Sequence, residues 1–150
     1  MADLRGWRCK FGVMVPSTNT IVQPDFDDLR PDGVTNHVSR IEIPNMDLKT
    51  DADFDRLVRV SIDGLDGATD RVMTAAPDAL IVGISSLIVW DGLEASQARR
   101  EALQSRTGVK VTGGSFAMAA ALEFFGAHRI AILSPYQPIA DQHISQFFAD

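Results

Sequence analysis

Lys10-Phe11-Gly12-Val13-Met14-Val15-Pro16, running into Ser17-Thr18-Asn19-Thr20, is the stretch that decides the fold. A short apolar run stops at a proline and gives way to four small polar side chains. In a parallel α/β sheet, ligands bind just outside the carboxyl ends of the strands. Hydroxyl, amide and backbone N–H donors at that position suit a small carboxylate or phosphate.

Four more apolar runs alternate with helix-like segments. Val34 to Pro44 alternates through Val38, Ile41 and Ile43, the pattern of a half-exposed strand. Ala79 to Ile84 is continuously apolar, as in a strand covered on both faces. Val109 to Thr112 is short, and Arg129-Ile130-Ala131-Ile132-Leu133-Ser134 is the fifth run. Asp51 is an expected N-cap, and Phe54, Leu57, Val58, Ile62, Leu65, Val72 and Met73 follow at helical spacing until Pro77. Further helices are expected over Leu93 to Arg106, Ser115 to Phe125 and Gln137 to Asp150, with a weaker one from Ser17 to Leu29 interrupted at Pro24. Ser115 to Phe125 is almost wholly apolar, which predicts burial. The βαβαβαβαβα order predicts an α/β protein with a flavodoxin-like, doubly wound, mainly parallel sheet flanked by helices. The expected organisation is a first α/β domain over 1–126 and, over 127–150, the start of a second similar domain that reads as truncated.

The 150 residues suffice for a substantial core. No apolar run reaches the roughly 18 residues of a membrane span, and the first residues lack the apolar core of a signal peptide. A soluble cytoplasmic protein with no membrane partner is the expectation. The net charge of −6 argues against nucleic acid as a partner, and nothing in the composition opposes a homo-oligomer. A single cysteine, Cys9, excludes an internal disulfide and reads as a small partly buried hydrophobe. His37, His128 and His143 have no metal-ligand spacing, so no metal is expected, and all three read as surface or strand-edge residues.

Three strand ends carry polar groups: Pro16-Ser17-Thr18-Asn19, Ser85-Ser86 and Ser134-Pro135-Tyr136. Strands one and three are neighbours at the switch point of this topology, so Ser17 to Thr20 and Ser85-Ser86 would face each other across a crevice. Each group also has a plain structural use. Ser17 could cap the helix that follows, Ser85-Ser86 could satisfy their own backbone, and Tyr136 could pack with its hydroxyl in water. Dinucleotide and mononucleotide glycine-rich loops are absent after the first strand, and Gly83-Ile84-Ser85-Ser86 lacks the second glycine of a nucleophile elbow. Gly113-Gly114 follows the fourth strand, which weakens a dinucleotide reading.

Gly12-Val13-Met14-Val15-Pro16-Ser17-Thr18-Asn19-Thr20 resembles the opening strand and loop of the aspartate/glutamate racemase superfamily, in particular the branch of maleate cis-trans isomerases and arylmalonate decarboxylases. Val82-Gly83-Ile84-Ser85-Ser86-Leu87 with Trp90-Asp91-Gly92, Thr112-Gly113-Gly114-Ser115 and Leu133-Ser134-Pro135-Tyr136 resemble three further segments in the same order. The resemblance implies two similar α/β domains with the active site between them and no cofactor. It also implies a small dicarboxylate substrate held by hydroxyls, backbone amides, an Asn and a Tyr. Asn19 and Tyr136 are then the catalytic candidates, with Pro16, Ser17, Ser85 and Ser86 binding substrate. Racemases and maleate isomerases of this kind use a thiol from each domain, and arylmalonate decarboxylases only that of the second. Here the first-domain position falls at Gly83 or Ile84 and carries no thiol, and the second-domain thiol would lie beyond Asp150. A decarboxylase acting through an enediolate is therefore expected. An isomerase using another acid, or a non-catalytic carboxylate-binding protein, are the alternatives. Ile84, Leu87 and Trp90 are the expected apolar wall against the departing carboxylate.

Overall fold

The computed structural model describes residues 3–149. Four strands form one sheet: β1 (Cys9–Pro16), β2 (Val34–Ile41), β3 (Ala79–Val82) and β4 (Lys110–Gly113). Their spatial order is β2-β1-β3-β4, and every neighbouring pair is parallel. This is the α/β, flavodoxin-like arrangement expected from the alternation of apolar runs. It places the carboxyl ends of β1 and β3 side by side at the switch point.

The period of two in β1 sorts its side chains between the faces. Gly12 and Met14 point toward α3 (Leu65–Met73): Thr69 Oγ1 lies 3.1 Å from Met14 Sδ, and a Cβ on Gly12 would lie 3.0 Å from Val72 Cγ2. On the opposite face, α1 (Val22–Asp28) is tied to β2 through Asn36 Nδ2, which donates to Phe26 O at 2.8 Å, and through Arg40, which donates to Gln23 Oε1 at 2.8 Å. Met14, Ile41, Leu65, Val72, Leu80, Val82, Leu87, Leu103, Val111 and Phe147 build the main core on the α3 side.

The helix expected from Asp51 is two helices. α2 (Asp51–Asp63) begins with a full capping box, in which Thr50 Oγ1 accepts from Asp53 N and the Asp53 carboxylate accepts from Thr50 N. It ends at Gly64, where α3 starts. Beyond Gly83, where a loop was expected, the short helix α4 (Ser85–Val89) forms, followed by α5 (Gly92–Thr107). Gly108, at φ +73°, closes α5 one residue beyond Thr107. α6 (Gly114–Phe124) and α7 (Pro138–Ala149) complete the described chain, and Asp150 lies outside it.

Two expectations fail here. Arg129 to Ser134 is not a strand: no strand partner lies beside it among the described residues, and β propensity without a ladder makes no sheet. α6 is apolar almost all round, yet only Ser115 of it is buried, because among the described residues no layer covers its outer side. Beyond residue 126, α7 packs on α4 and α5 and sends Phe147 into the main core. Among the described residues no helix is long and apolar enough to cross a membrane.

Candidate functional site

β3 hands the chain to α4 through a contact only glycine permits. Gly83 N donates to Met14 O at 2.7 Å, and a Cβ on Gly83 would stand 2.8 Å from Val15 Cγ1 and 3.0 Å from Met14 O. That close passage sets Ile84, Ser85 and Ser86 at the sheet rim and leaves no room at Gly83 for a side chain. Across from them, Gly113-Gly114 starts α6, with Gly113 backed against Ile88 and Ser85 Oγ 3.5 Å from where a Gly114 Cβ would stand.

Ser85, Ser86, Gly114, Ser115, Ser134 and Tyr136 open onto one cavity of about 560 Å³, within the range of small-molecule sites. Its other wall is apolar, made by Val89, Met118, Leu122, Ile130, Ile132 and Leu133, with Ile144 and Phe148 of α7 behind. The expected wall is corrected: none of Ile84, Leu87 and Trp90 lines the cavity, and Leu87 and Trp90 are 2% and 1% exposed in the core. Among the described residues that line it, none is charged. α6 has no side-chain cap at Gly113, so its first amide N–H groups and the positive end of its dipole have no side-chain partner at Gly113. Ser115 and this helix start are the part that sequence reasoning missed. Thr112-Gly113-Gly114-Ser115 carries part of the family resemblance and, as Gly113-Gly114, a weak dinucleotide signal, but neither assigns Ser115 to the site.

Tyr136 comes to the cavity on a loop rather than a strand end. Its N–H donates to Ser134 Oγ at 3.1 Å, and Gln137 Nε2 donates to Leu48 O at 3.3 Å. Its ring lies 5.9 Å from that of Phe54, which in turn lies 5.5 Å from that of Trp90. Trp90 Nε1 donates to Asp55 Oδ1 at 2.8 Å, and its face stacks on His143 at 4.2 Å. His143 is thus a packing partner on α7 and not a surface or strand-edge residue. Next to Trp90, Asp91 takes Arg59 at 2.9 Å and Arg99 at 2.7 Å on its two oxygens. Partial burial pushes the Asp91 carboxyl up, but the hydrogen bonds and charges of Arg99 and Arg59 outweigh it and hold the group below its usual range.

Pro16, Ser17 and Asn19 stand at the carboxyl end of β1, outside the cavity lining. Ser17 does not cap the following helix. Its Oγ accepts from Ile43 N at 2.9 Å, and its N–H donates to Ile41 O at 2.7 Å, tying the two loops together. Asn19 is the capping side chain: Oδ1 accepts from Ile21 N at 3.0 Å and Val22 N at 2.8 Å. The Nδ2 hydrogens have no protein partner among the described residues. Pro16 O receives the Asn19 N–H at 3.0 Å. Arg40, not singled out from the sequence, braces this turn by donating to Asn19 O at 2.6 Å.

Cys9 is the first residue of β1, roughly 23 Å of strand away from Pro16 at about 3.3 Å per residue. Burial, with Asp78 adding to it, pushes its thiol up from its usual value. It is no thiolate and no part of the cavity. No cluster of potential metal ligands occurs among the described residues.

No protein-family model matches the chain. No curated protein matches it. Solved structures do. Arylmalonate decarboxylase is 21% identical with a TM-score of 0.70, over 93% of this chain and 57% of that one. A Nocardia farcinica maleate cis-trans isomerase, a cysteine-to-serine mutant with a covalently bound succinylcysteine intermediate, is 16% identical with a TM-score of 0.80, over 94% and 58%. A Pseudomonas putida S16 maleate isomerase with maleate is 17% identical with a TM-score of 0.74, over 94% and 58%. The chain has the fold of these proteins and spans somewhat over half of their length.

Proposed function

We propose that this chain holds a small dicarboxylate in the cavity between α4, α6 and the Tyr136 loop. In this reading it supports cofactor-independent decarboxylation through an enediolate, in the manner of arylmalonate decarboxylase. One observation carries the reading: four serines, a tyrosine and a helix start without a side-chain cap converge on a cavity that has no charged side chain among the described residues and a wholly apolar opposite wall.

The chemistry follows from that division. When the bond from the α-carbon to one carboxyl breaks, carbon dioxide leaves and the electron pair passes to the remaining carboxylate, which becomes an enediolate. Hydrogen-bond donors fixed where that charge gathers lower the barrier, each by about 2.7–4 kcal/mol. Ser85, Ser86 and Ser115 hydroxyls, the α6 amides and the Tyr136 hydroxyl are the donors on this side. Asn19 is assigned a second role beside its cap, because its Oδ1 is held by two amides and its Nδ2 donors stay available at the same sheet rim. Pro16 and Ser17 shape the turn that presents it. The apolar wall of Val89, Met118, Ile132 and Leu133 disfavours the hydrated, charged carboxylate that is lost. Proton return falls to a group outside this set.

The isomerase reading has one observation in its favour, the higher TM-score of 0.80 to the Nocardia farcinica enzyme. Against it, neither Gly83 nor Ile84 supplies a thiol at the β3 rim, and Gly83 has no space for one.

The test is twofold. Binding of malonate by calorimetry should weaken about tenfold in Ser86→Ala and in Tyr136→Phe with the melting temperature unchanged. Carbon dioxide release from an aryl-substituted malonate should fall by about 10²-fold or more in Tyr136→Phe. Binding that both variants leave untouched would remove the cavity from the argument. Conversion of maleate to fumarate without carbon dioxide release would replace the decarboxylase reading by the isomerase one.

A further inference from the structure

We propose that Phe54 is a positioning residue for Tyr136: its ring, mounted on the first turn of α2 and backed by Trp90, fixes the place of the Tyr136 ring relative to the serines of α4. The effect on turnover rests on the carboxylate reading, and the effect on Tyr136 itself rests on packing alone.

The loop that carries Tyr136 does not place it. Residues 128–135 make no backbone–backbone hydrogen bond among the described residues, and the Tyr136 N–H reaches only Ser134 Oγ on the same loop. A segment with so few bonds of its own is ordered from outside. Two contacts do this. The Tyr136 ring lies 5.9 Å from that of Phe54, tilted by 52°, inside the range of about 4.5–7 Å for a favourable aromatic pair. Gln137 Nε2 donates to Leu48 O at 3.3 Å. Leu48 and Phe54 flank the capped start of α2, which is stiff. The Asp53 carboxylate there accepts from Lys49 N at 3.2 Å, Thr50 N at 3.0 Å and Thr50 Oγ1 at 2.8 Å. Phe54 is itself buried.

The other neighbour of Phe54 ties it to the serines. Its ring lies 5.5 Å from that of Trp90, and Trp90 is the C-cap of α4, the helix that begins with Ser85 and Ser86. One buried ring therefore stands between Tyr136 and the far end of the serine-bearing helix. The arrangement closes on itself. His143, further along the segment that starts at Tyr136, stacks on Trp90 at 4.2 Å, and Ala140 between them packs into the same cluster. The stretch from Tyr136 to His143 thus grips the Phe54–Trp90 pair from both ends. Donors that stabilise a transition state tolerate little error, and a displacement of about 1 Å can cost about 10²-fold in rate. A leucine at position 54 keeps an apolar side chain in the corner and loses the flat ring that Tyr136 rests on.

Tyr136 is the single tyrosine of the chain, so ¹³C labelling of tyrosine rings gives the magnetic-resonance signals of this residue alone. In the parent chain the neighbouring ring should displace them from their unfolded positions. Phe54→Leu should return them most of the way, with far-ultraviolet circular dichroism unchanged. Gln137→Ala, which touches no core side chain, should move them in part, and it decides the matter by the same readouts if Phe54→Leu does not fold. In carbon dioxide release from an aryl-substituted malonate, Phe54→Leu should lower kcat about tenfold or more. In a Tyr136→Phe background, where no hydroxyl is left to place, the same substitution should cost less than about twofold. A purely structural role would cost the same in both backgrounds, and that result overturns the proposal. So do Tyr136 signals that stay in place in the folded variants. Failure of the carboxylate reading looks different: the parent then shows neither carbon dioxide release nor a shift of the Tyr136 signals with malonate, while the variants still move them.

Discussion

Two apolar regions flank the cavity and meet opposite fates. On one side Trp90, Phe54 and Ala140 form a buried corner, closed by His143 on the Trp90 face and Asp55 on its Nε1. On the other side α6, more apolar along its length, leaves Met118, Phe124 and Phe125 in water. Composition therefore does not decide burial. The corner is buried because α2, α4 and α7 converge there. α6 touches β4 and α4 on one side, with Phe116 on Phe147 at 6.0 Å and Arg100 over Phe116 at 4.6 Å, and among the described residues its other side is open to water.

The largest effect is expected in the corner. Trp90→Ala should cost about 3–5 kcal/mol in chemical denaturation, since it empties a fully buried site and frees Asp55 and His143 together. A loss under about 1 kcal/mol would show that the corner is no clamp and erase the contrast with α6. Gly83→Ala comes next, at about 1–3 kcal/mol, because the added Cβ must displace Val15 Cγ1 or the Met14 carbonyl. Gly113→Ala sharpens the same point on the α6 side, where Val82 O would lie 2.8 Å from the new atom.

These two glycines also show what the sequence could and could not tell. The parallel sheet was legible because β1 and β3 are continuous apolar runs ending in polar clusters, and the period of two in a strand is local information. Ser85-Ser86 was legible for the same reason, whereas Tyr136 reaches the cavity on a loop and not at the strand end expected for it. Gly64 weakens the helix locally, but Leu57, Val58, Ile62 and Leu65 keep helical spacing through it, so the sequence pattern gives one helix where the structure has two. The burial of α6 and the strand nature of Arg129 to Ser134 were misjudged on one ground: both depend on a neighbour, and a one-dimensional pattern does not carry neighbours. Asn19, rather than Ser17, caps α1 because the chain needs Ser17 to hold Ile43 N, a contact 26 positions away.

Asp91 tests the corner by pH. Its carboxyl is held lower in the folded chain than in the unfolded one, so the unfolded chain binds more protons in that window. The stabilisation is complete above the ordinary carboxylate value of about 3.9 and is lost as pH falls through the lower folded value. Asp91→Asn should therefore cost about 1–3 kcal/mol near neutral pH, with the gap to the parent narrowing in acid. A gap of constant size from neutral to acid pH would mean that Arg59 and Arg99 do not act through the charge of Asp91. Asn19→Ala should cost about 1 kcal/mol as a lost cap, with a fall in turnover well beyond that if its Nδ2 donors serve the ligand.

The smallest effect on stability is expected where the apolar content is highest. Phe124 is 82% exposed, and its one aromatic neighbour, Phe125 at 5.1 Å, is equally open. Phe124→Ser should leave the folding free energy of the single chain within about 0.5 kcal/mol. The melting curve of the chain should stay in place. A protein that unfolds on this change would place Phe124 in a core, and the difference between the two sides of the cavity would vanish.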